Sequence, residues 1–224
     1  MLALGALALS TGARAQLGAS VEAETDYRFR GLSLSGSHPS QRLTLNFDAA
    51  NACYGGLSAT GVALGHADRY VQWLGYAGCV RPWDSAHQFE IGANATHFSK
   101  DPDYDFVEAY AGLLAERWSA RAYLSPDYFG RRVPTLYAEF NGHRMIDARW
   151  RLFGHLGGLA ALDGANGAHG EAGRARFDLR LGAGLALADW DLQLAWVGAT
   201  PGGPYPAPPG SNRQAWVASL AVSF

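Results

Sequence analysis

The residues able to carry covalent chemistry in this chain are few and scattered. His97, His143 and His155 could act as general bases, and Ser99 or Ser125 as nucleophiles. A hydrolase needs such a pair within hydrogen-bond reach and a third polar group that orients the histidine. No Gly-x-Ser-x-Gly elbow is present, so that way of presenting a serine nucleophile is missing. The expectation is no catalytic residue. A lipid-modifying enzyme, with His97 or His155 as its base, is the remoter alternative.

Cys53 and Cys79 could bind metal or form a bridge. Zinc needs clustered Cys and His ligands, and these two cysteines have no histidine pair beside them, so neither a metal nor another cofactor is expected. A disulfide fits better. If segments 54–65 and 70–80 form a hairpin centred on His66, residues whose numbers sum to 132 face each other, as Cys53 and Cys79 do. Opposed residues of antiparallel strands have Cα atoms ~4.5–5.5 Å apart, within bridging reach. An oxidising compartment would preserve the bond.

Most chemistry-bearing residues are ionic, and their spacing dictates the elements that position them. Over residues 20–31, Val21, Ala23, Thr25, Tyr27 and Phe29 alternate with Glu22, Glu24, Asp26, Arg28 and Arg30. Period two means a strand with one apolar and one charged face. The same alternation sets Leu43, Leu45 and Phe47 against Arg42 and Asp48, and Phe89 and Ile91 against Glu90. It continues with Val107 and Ala109 against Glu108, Ala120 and Ala122 against Arg121, and Ala138 and Phe140 against Glu139. Further on, Trp150 and Leu152 oppose Arg149 and Arg151; Phe177 and Leu179 oppose Arg174, Arg176, Asp178 and Arg180; Leu192 opposes Asp191. The last strand carries Trp216, Ala218, Leu220, Val222 and Phe224 on one face. Segments 54–65 and 70–80 are Gly-rich and resist phasing, but counting them gives about twelve strands, an even number as in bacterial membrane barrels.

The fold class expected is all-β, an antiparallel up-and-down transmembrane barrel with its apolar face to lipid and its charges in the lumen. Connections alternate in length, except that the Gly65–Arg69 loop is short on the nominally outer side. Short ones fall near Asn51, Pro82–Ala86, Ala115–Glu116, Gly142–Asp147 and Ala188–Asp189, and longer ones at Leu32–Ser40, Ser99–Tyr104, Ser125–Pro134, Ala161–Gly173 and Ala199–Asn212. Short periplasmic turns and long outer loops would have this asymmetry.

Composition agrees. No apolar run of about eighteen residues follows the first few, which argues against a helical span. The formal net charge is −2, with a single lysine, Lys100, whereas a nucleic-acid partner calls for a positive excess. Residues 1–15 read as a signal peptide, an Ala/Leu core followed by Ala13-Arg14-Ala15, leaving 16–224 as the barrel. Phe224, an aromatic residue closing an amphipathic strand, is the expected signal to the barrel-assembly machinery. Outer-membrane lipid is the other expected partner.

Three stretches carry a resemblance. They are Thr25-Asp26-Tyr27-Arg28-Phe29-Arg30-Gly31-Leu32-Ser33, then Glu108-Ala109-Tyr110-Ala111-Gly112-Leu113, then Ser125-Pro126-Asp127-Tyr128-Phe129-Gly130. With the C-terminal strands they resemble the opening and central motifs of the TorF-type porins, a proteobacterial family, over essentially the whole mature chain. The chain departs at Leu34-Ser35, where members commonly continue Ser-Gln, and in its cysteine pair. The resemblance implies an outer-membrane pore without assigning its cargo. In the third stretch Pro126, Asp127 and Gly130 are expected to set a turn, with Tyr128 and Phe129 folded onto the rim.

The leading functional expectation is diffusion of small polar solutes through a lumen lined by arginines and carboxylates. The alternative is a non-conducting structural or adhesion barrel whose ion pairs plug the interior.

Overall fold

A computed structural model describes residues 16–64, 68–162, 175–205 and 212–224. The signal-peptide assignment, the hairpin centre at His66 and Arg174 lie outside them.

Twelve strands form one closed antiparallel barrel. They are β1 (Gln16–Glu24), β4 (Ser40–Asp48), β5 (Cys53–Val62), β6 (Tyr70–Pro82), β7 (His87–Phe98), β8 (Phe106–Ala115), β9 (Trp118–Ser125), β10 (Thr135–Met145), β11 (Trp150–Ala161), β12 (Ala175–Leu187), β13 (Trp190–Ala199) and β14 (Gln214–Ser223). Two short strands, β2 (Arg28–Phe29) and β3 (Leu32–Ser33), pair with each other inside the first loop. Each wall strand pairs with its sequence neighbours. β1 closes the ring, with Glu22 opposite Arg42 on one side and Ala221 on the other. Closure leaves no edge to satisfy, the condition for backbone in lipid.

Alternation decides which face points out. Leu43, Leu45, Phe47, Ile91, Val107, Phe177, Leu181 and Leu194 are all exposed on the exterior. Such a continuous apolar surface is costly in water and favourable against lipid. All seven tryptophans follow this outward parity and gather in two belts. Trp83, Trp118, Trp150 and Trp190 lie by the short turns, at the end that also holds Gln16 and Phe224; Trp73, Trp196 and Trp216 lie by the long loops. Indole rings prefer the two membrane–water interfaces.

Cys53 and Cys79 are register partners and are bridged. Cys79 also pairs with the exposed Ile91, so the disulfide lies on the outward face near the short-turn end.

The first strand is shorter than its alternation suggests. The period-two pattern runs to Arg30, yet β1 ends at Glu24 and residues 25–39 turn into the barrel mouth. Asp26 is the reason. Its carboxylate accepts hydrogen bonds from Ser33 Oγ (2.5 Å), Ser35 Oγ (3.0 Å) and Arg28 Nε (2.7 Å), which folds the segment back on itself. The reversal runs through Arg30 at φ 49° and Gly31 at φ 77°; a Cβ on Gly31 would also stand 2.7 Å from those of Asp178 and Ala199. Tyr27 and Phe29 therefore face the interior and not lipid, with Tyr27 buried.

The apolar core consequently sits inside the loop-end mouth. Tyr27, Leu34, Phe98, Phe106, Tyr128, Phe129, Tyr137, Leu159 and Tyr205 form one cluster there. Tyr128 and Phe129 point into the barrel and are buried, not laid on the rim. Phe129 stacks on Phe106 at 4.9 Å and on Tyr205 at 4.5 Å between centroids. Burial of this much aromatic surface outweighs a place at the interface. Gly130 permits it, since a side chain there would collide with the Asp103 backbone.

Candidate functional site

The lumen is lined by polar side chains that reach partners two strands away, and glycine makes the reach possible. Arg121 on β9 crosses β8 at Gly112 and donates to Glu90 on β7 at 2.5 Å. Tyr54 on β5 crosses β6 at Gly78 to Glu90, and Tyr76 on β6 crosses β5 at Gly56 to Asn46 on β4. Tyr137 on β10 crosses β11 at Gly157 to Asp178 on β12 (3.3 Å), and Arg151 on β11 crosses β12 at Gly184 to Asp191 on β13 (2.5 Å). At each of these glycines an added Cβ would meet the crossing side chain. In the Gly-rich segments 54–65 and 70–80 the inward Gly56 and Gly78 are covered by Tyr76 and Tyr54 of the neighbouring strand, and a glycine at an inward position gives alternation no polar signal.

The ionic residues sort into local groups. Arg42 pairs with Glu22 (3.3 Å) and Glu24 (3.1 Å), and its guanidinium lies 4.8 Å from the Tyr27 ring centroid. Arg121 joins Glu90 to Glu139, the latter at 3.8 Å. Arg28 pairs with Asp26 inside the first loop at 2.7 Å. Asp178 meets His155 Nε2 at 2.8 Å, while His155 Nδ1 faces Asn141 Oδ1 at 2.7 Å. Buried Arg176 donates to the Tyr205 carbonyl at 2.9 Å, and Arg180 to Gln193 Oε1 at 3.2 Å. Among the described residues neither Arg176 nor Arg180 has a carboxylate within ion-pair distance.

Two of the expected lumen residues stand elsewhere. Arg149 is exposed in the turn between β10 and β11, its backbone N–H donating to Asp147 Oδ1 at 2.7 Å. That capping carboxylate also takes the Trp150 N–H at 2.8 Å, so the turn forms one residue before the strand and Arg149 drops out of the alternation. Asp48 ends β4 and is exposed at the short-turn rim.

Arg30 occupies the centre of the mouth. Its Nη2 donates to both carboxylate oxygens of buried Glu108, each at 2.8 Å. Its guanidinium carbon lies 4.0 Å from the Tyr137 ring centroid, 4.8 Å from Phe29, 5.1 Å from Tyr128 and 5.5 Å from Tyr123. Burial opposes the charge, but the Glu108 carboxylate beside it overrides burial and holds the guanidinium ionised. The three stretches that carry the family resemblance thus converge here, through Arg30, Glu108 and Tyr128. Sequence alternation singled out Arg30 and Glu108 as lumen residues; it placed the surrounding rings on the wrong face or left them without a role.

Of the histidines, His155 lies in the lumen, whereas His97 stands at the loop-end rim with its Nδ1 2.6 Å from Asp105 Oδ2. Asp105 Oδ1 accepts the Phe98 N–H at 2.8 Å, which ties this pair to the end of β7. Ser99 Oγ is engaged by the Val71 N–H at 3.2 Å.

No family model matches the chain, and no curated protein matches its sequence. Solved structures do match its fold. The NanC porin aligns with a TM-score of 0.58 at 11% identity, covering 93% of this chain and 99% of that one. The KdgM porin aligns with a TM-score of 0.56 at 11% identity, covering 92% and 99%, and is also solved in complex with disordered oligogalacturonate. At such identity the likeness carries the architecture, so the chain shares the closed barrel of these porins over nearly its whole described length.

Proposed function

We propose that the chain is an outer-membrane porin-type barrel of the TorF kind that passes small polar solutes. The observation that carries this reading is a closed barrel with an apolar, tryptophan-belted exterior and a charged interior below the mouth, an inversion that only a membrane rewards. Glu22, Glu24, Arg42, Glu90, Arg121, Glu139, Arg151, Asp178, Arg180 and Asp191 are the proposed lining. Six carboxylates stand against four arginines in this set, which favours a weak preference for cations. The likeness to a porin solved with oligogalacturonate supports polar solutes as the cargo class. Assembly through the barrel-assembly machinery, with Phe224 as its signal, belongs to the same proposal.

A second reading has its own observation. The aromatic cluster around Phe129 and Arg30 fills the mouth, which favours a barrel closed at rest. Planar-bilayer conductance of refolded protein separates the two. Discrete open steps support the pore; a silent bilayer, with folding verified by heat-modifiable gel mobility, supports the closed structural barrel.

A further inference from the structure

We propose that the barrel mouth contains a binding site for guanidinium-type organic cations, occupied at rest by the chain's own Arg30. Four aromatic faces and a buried carboxylate around one cation make a recognition site of known chemistry. The rings attract the charge through their quadrupoles, and the carboxylate supplies directional hydrogen bonding. Here the rings are Phe29, Tyr123, Tyr128 and Tyr137, and the carboxylate is Glu108. Asn94 Nδ2 approaches Glu108 Oε2 at 3.4 Å and helps hold it in place.

The division of the cage between wall and loop is what makes it a receptor. Glu108, Tyr123 and Tyr137 stand on β8, β9 and β10, which are fixed by ladder pairing. Arg30 and Phe29 arrive on the first loop, through the positive-φ reversal at Arg30 and Gly31. The wall half of the cage therefore persists when the loop leaves. Arg30 is also an imperfect occupant: among the described residues no acceptor in hydrogen-bonding geometry reaches its Nε or Nη1. A free guanidinium can rotate within the cage, which a tethered one cannot do.

The cation site stands on this geometry alone. Its consequence, that such a solute competes with Arg30 and releases the first loop from the mouth, rests on the pore reading. The test therefore measures binding directly. Folded Arg30→Ala protein in detergent is titrated calorimetrically with ethylguanidinium, against equal ionic strength of sodium chloride. A tethered competitor at an effective concentration on the order of millimolar weakens the wild type, so its apparent affinity should be at least about tenfold lower than the variant's. Arg30→Ala/Glu108→Gln should bind no better than wild type. If Arg30→Ala fails to fold, Arg30→Met keeps the apolar stem and vacates the charge. Absence of specific binding in a folded Arg30 variant, or binding that survives Glu108→Gln, overturns the proposal. Binding retained in a protein that is silent in bilayers upholds the site and defeats the pore reading instead.

Discussion

Arg121 reaches Glu90 by passing over β8, and Gly112 between them supplies the space. The same construction recurs at Gly56, Gly78, Gly157 and Gly184, so polar bridges run circumferentially across three strands at a time. A barrel wall is already continuous through its ladder. The bridges add stiffness by tying each strand to its second neighbour, and charge-assisted hydrogen bonds are the strong class for that task.

Gly112→Val should break the Arg121–Glu90 bridge, because a Cβ there already stands 2.8 Å from Arg121 Cγ. Overpacking of this kind costs about 1–3 kcal/mol. The urea midpoint for loss of heat-modifiable mobility in lipid vesicles should fall accordingly. Ala111→Val, one residue away on the lipid face, should change stability by no more than about 0.5 kcal/mol. Equal effects of the two changes would remove the special role assigned to Gly112.

The barrel was legible in the sequence because lipid and lumen impose opposite chemistry on alternate residues. Where that rule acts alone, as in Leu43, Leu45 and Phe47 against Arg42, the sequence reading and the structure agree residue by residue. It misleads where a local hydrogen-bond network competes. Asp26 draws Ser33 and Ser35 towards it and takes Tyr27 and Phe29 out of the wall, although their alternation is as regular as any in the chain. Parity alone set Arg121 and Glu90 on one face but also counted Arg149, which the turn takes out of it, and it could not supply partners, since a bridge over Gly157 depends on register between three strands. The Cys53–Cys79 pairing was accessible because a single two-strand register decides it.

Removing that bridge gives a second expectation. Cys53 and Cys79 are 26 residues apart, and releasing a loop of such length costs about 3.5 kcal/mol when the chain-entropy effect is realised. Cys53→Ser/Cys79→Ser, or reduction of the wild type, should lower the urea midpoint. Conductance should stay as it was, because the bridge faces outward. A change in conductance at unaltered stability would mean that the disulfide governs the lumen.

The mouth cluster is the part of the molecule most open to functional dissection. Tyr128→Ala/Phe129→Ala removes two buried rings that pack on Phe106 and Tyr205. The barrel ladder does not depend on them, so heat-modifiable mobility should persist while the mouth widens. Open-channel conductance should rise by a factor of about two or more, as a filled constriction becomes a water path. Loss of folding or unchanged conductance would show that the cluster supports the wall and does not set the bore.

Tyr27 makes the docking of the first loop sensitive to alkali. Burial pushes its phenol up to about 12 from the ordinary 10.0, against the opposing influence of Arg42. A released loop would ionise near the ordinary value while the docked loop stays neutral. The docked state therefore binds the proton more tightly, and its contribution is complete below pH 10, declines above it, and is lost once pH passes about 12. Channel open time should rise reversibly over that interval in planar bilayers. Tyr27→Phe should flatten the rise without abolishing it, because Tyr128, also raised by burial, remains in the cluster. Coincident profiles for wild type and variant would show that Tyr27 ionisation is not coupled to the loop, and would leave the Arg30–Glu108 contact as the element that holds the mouth.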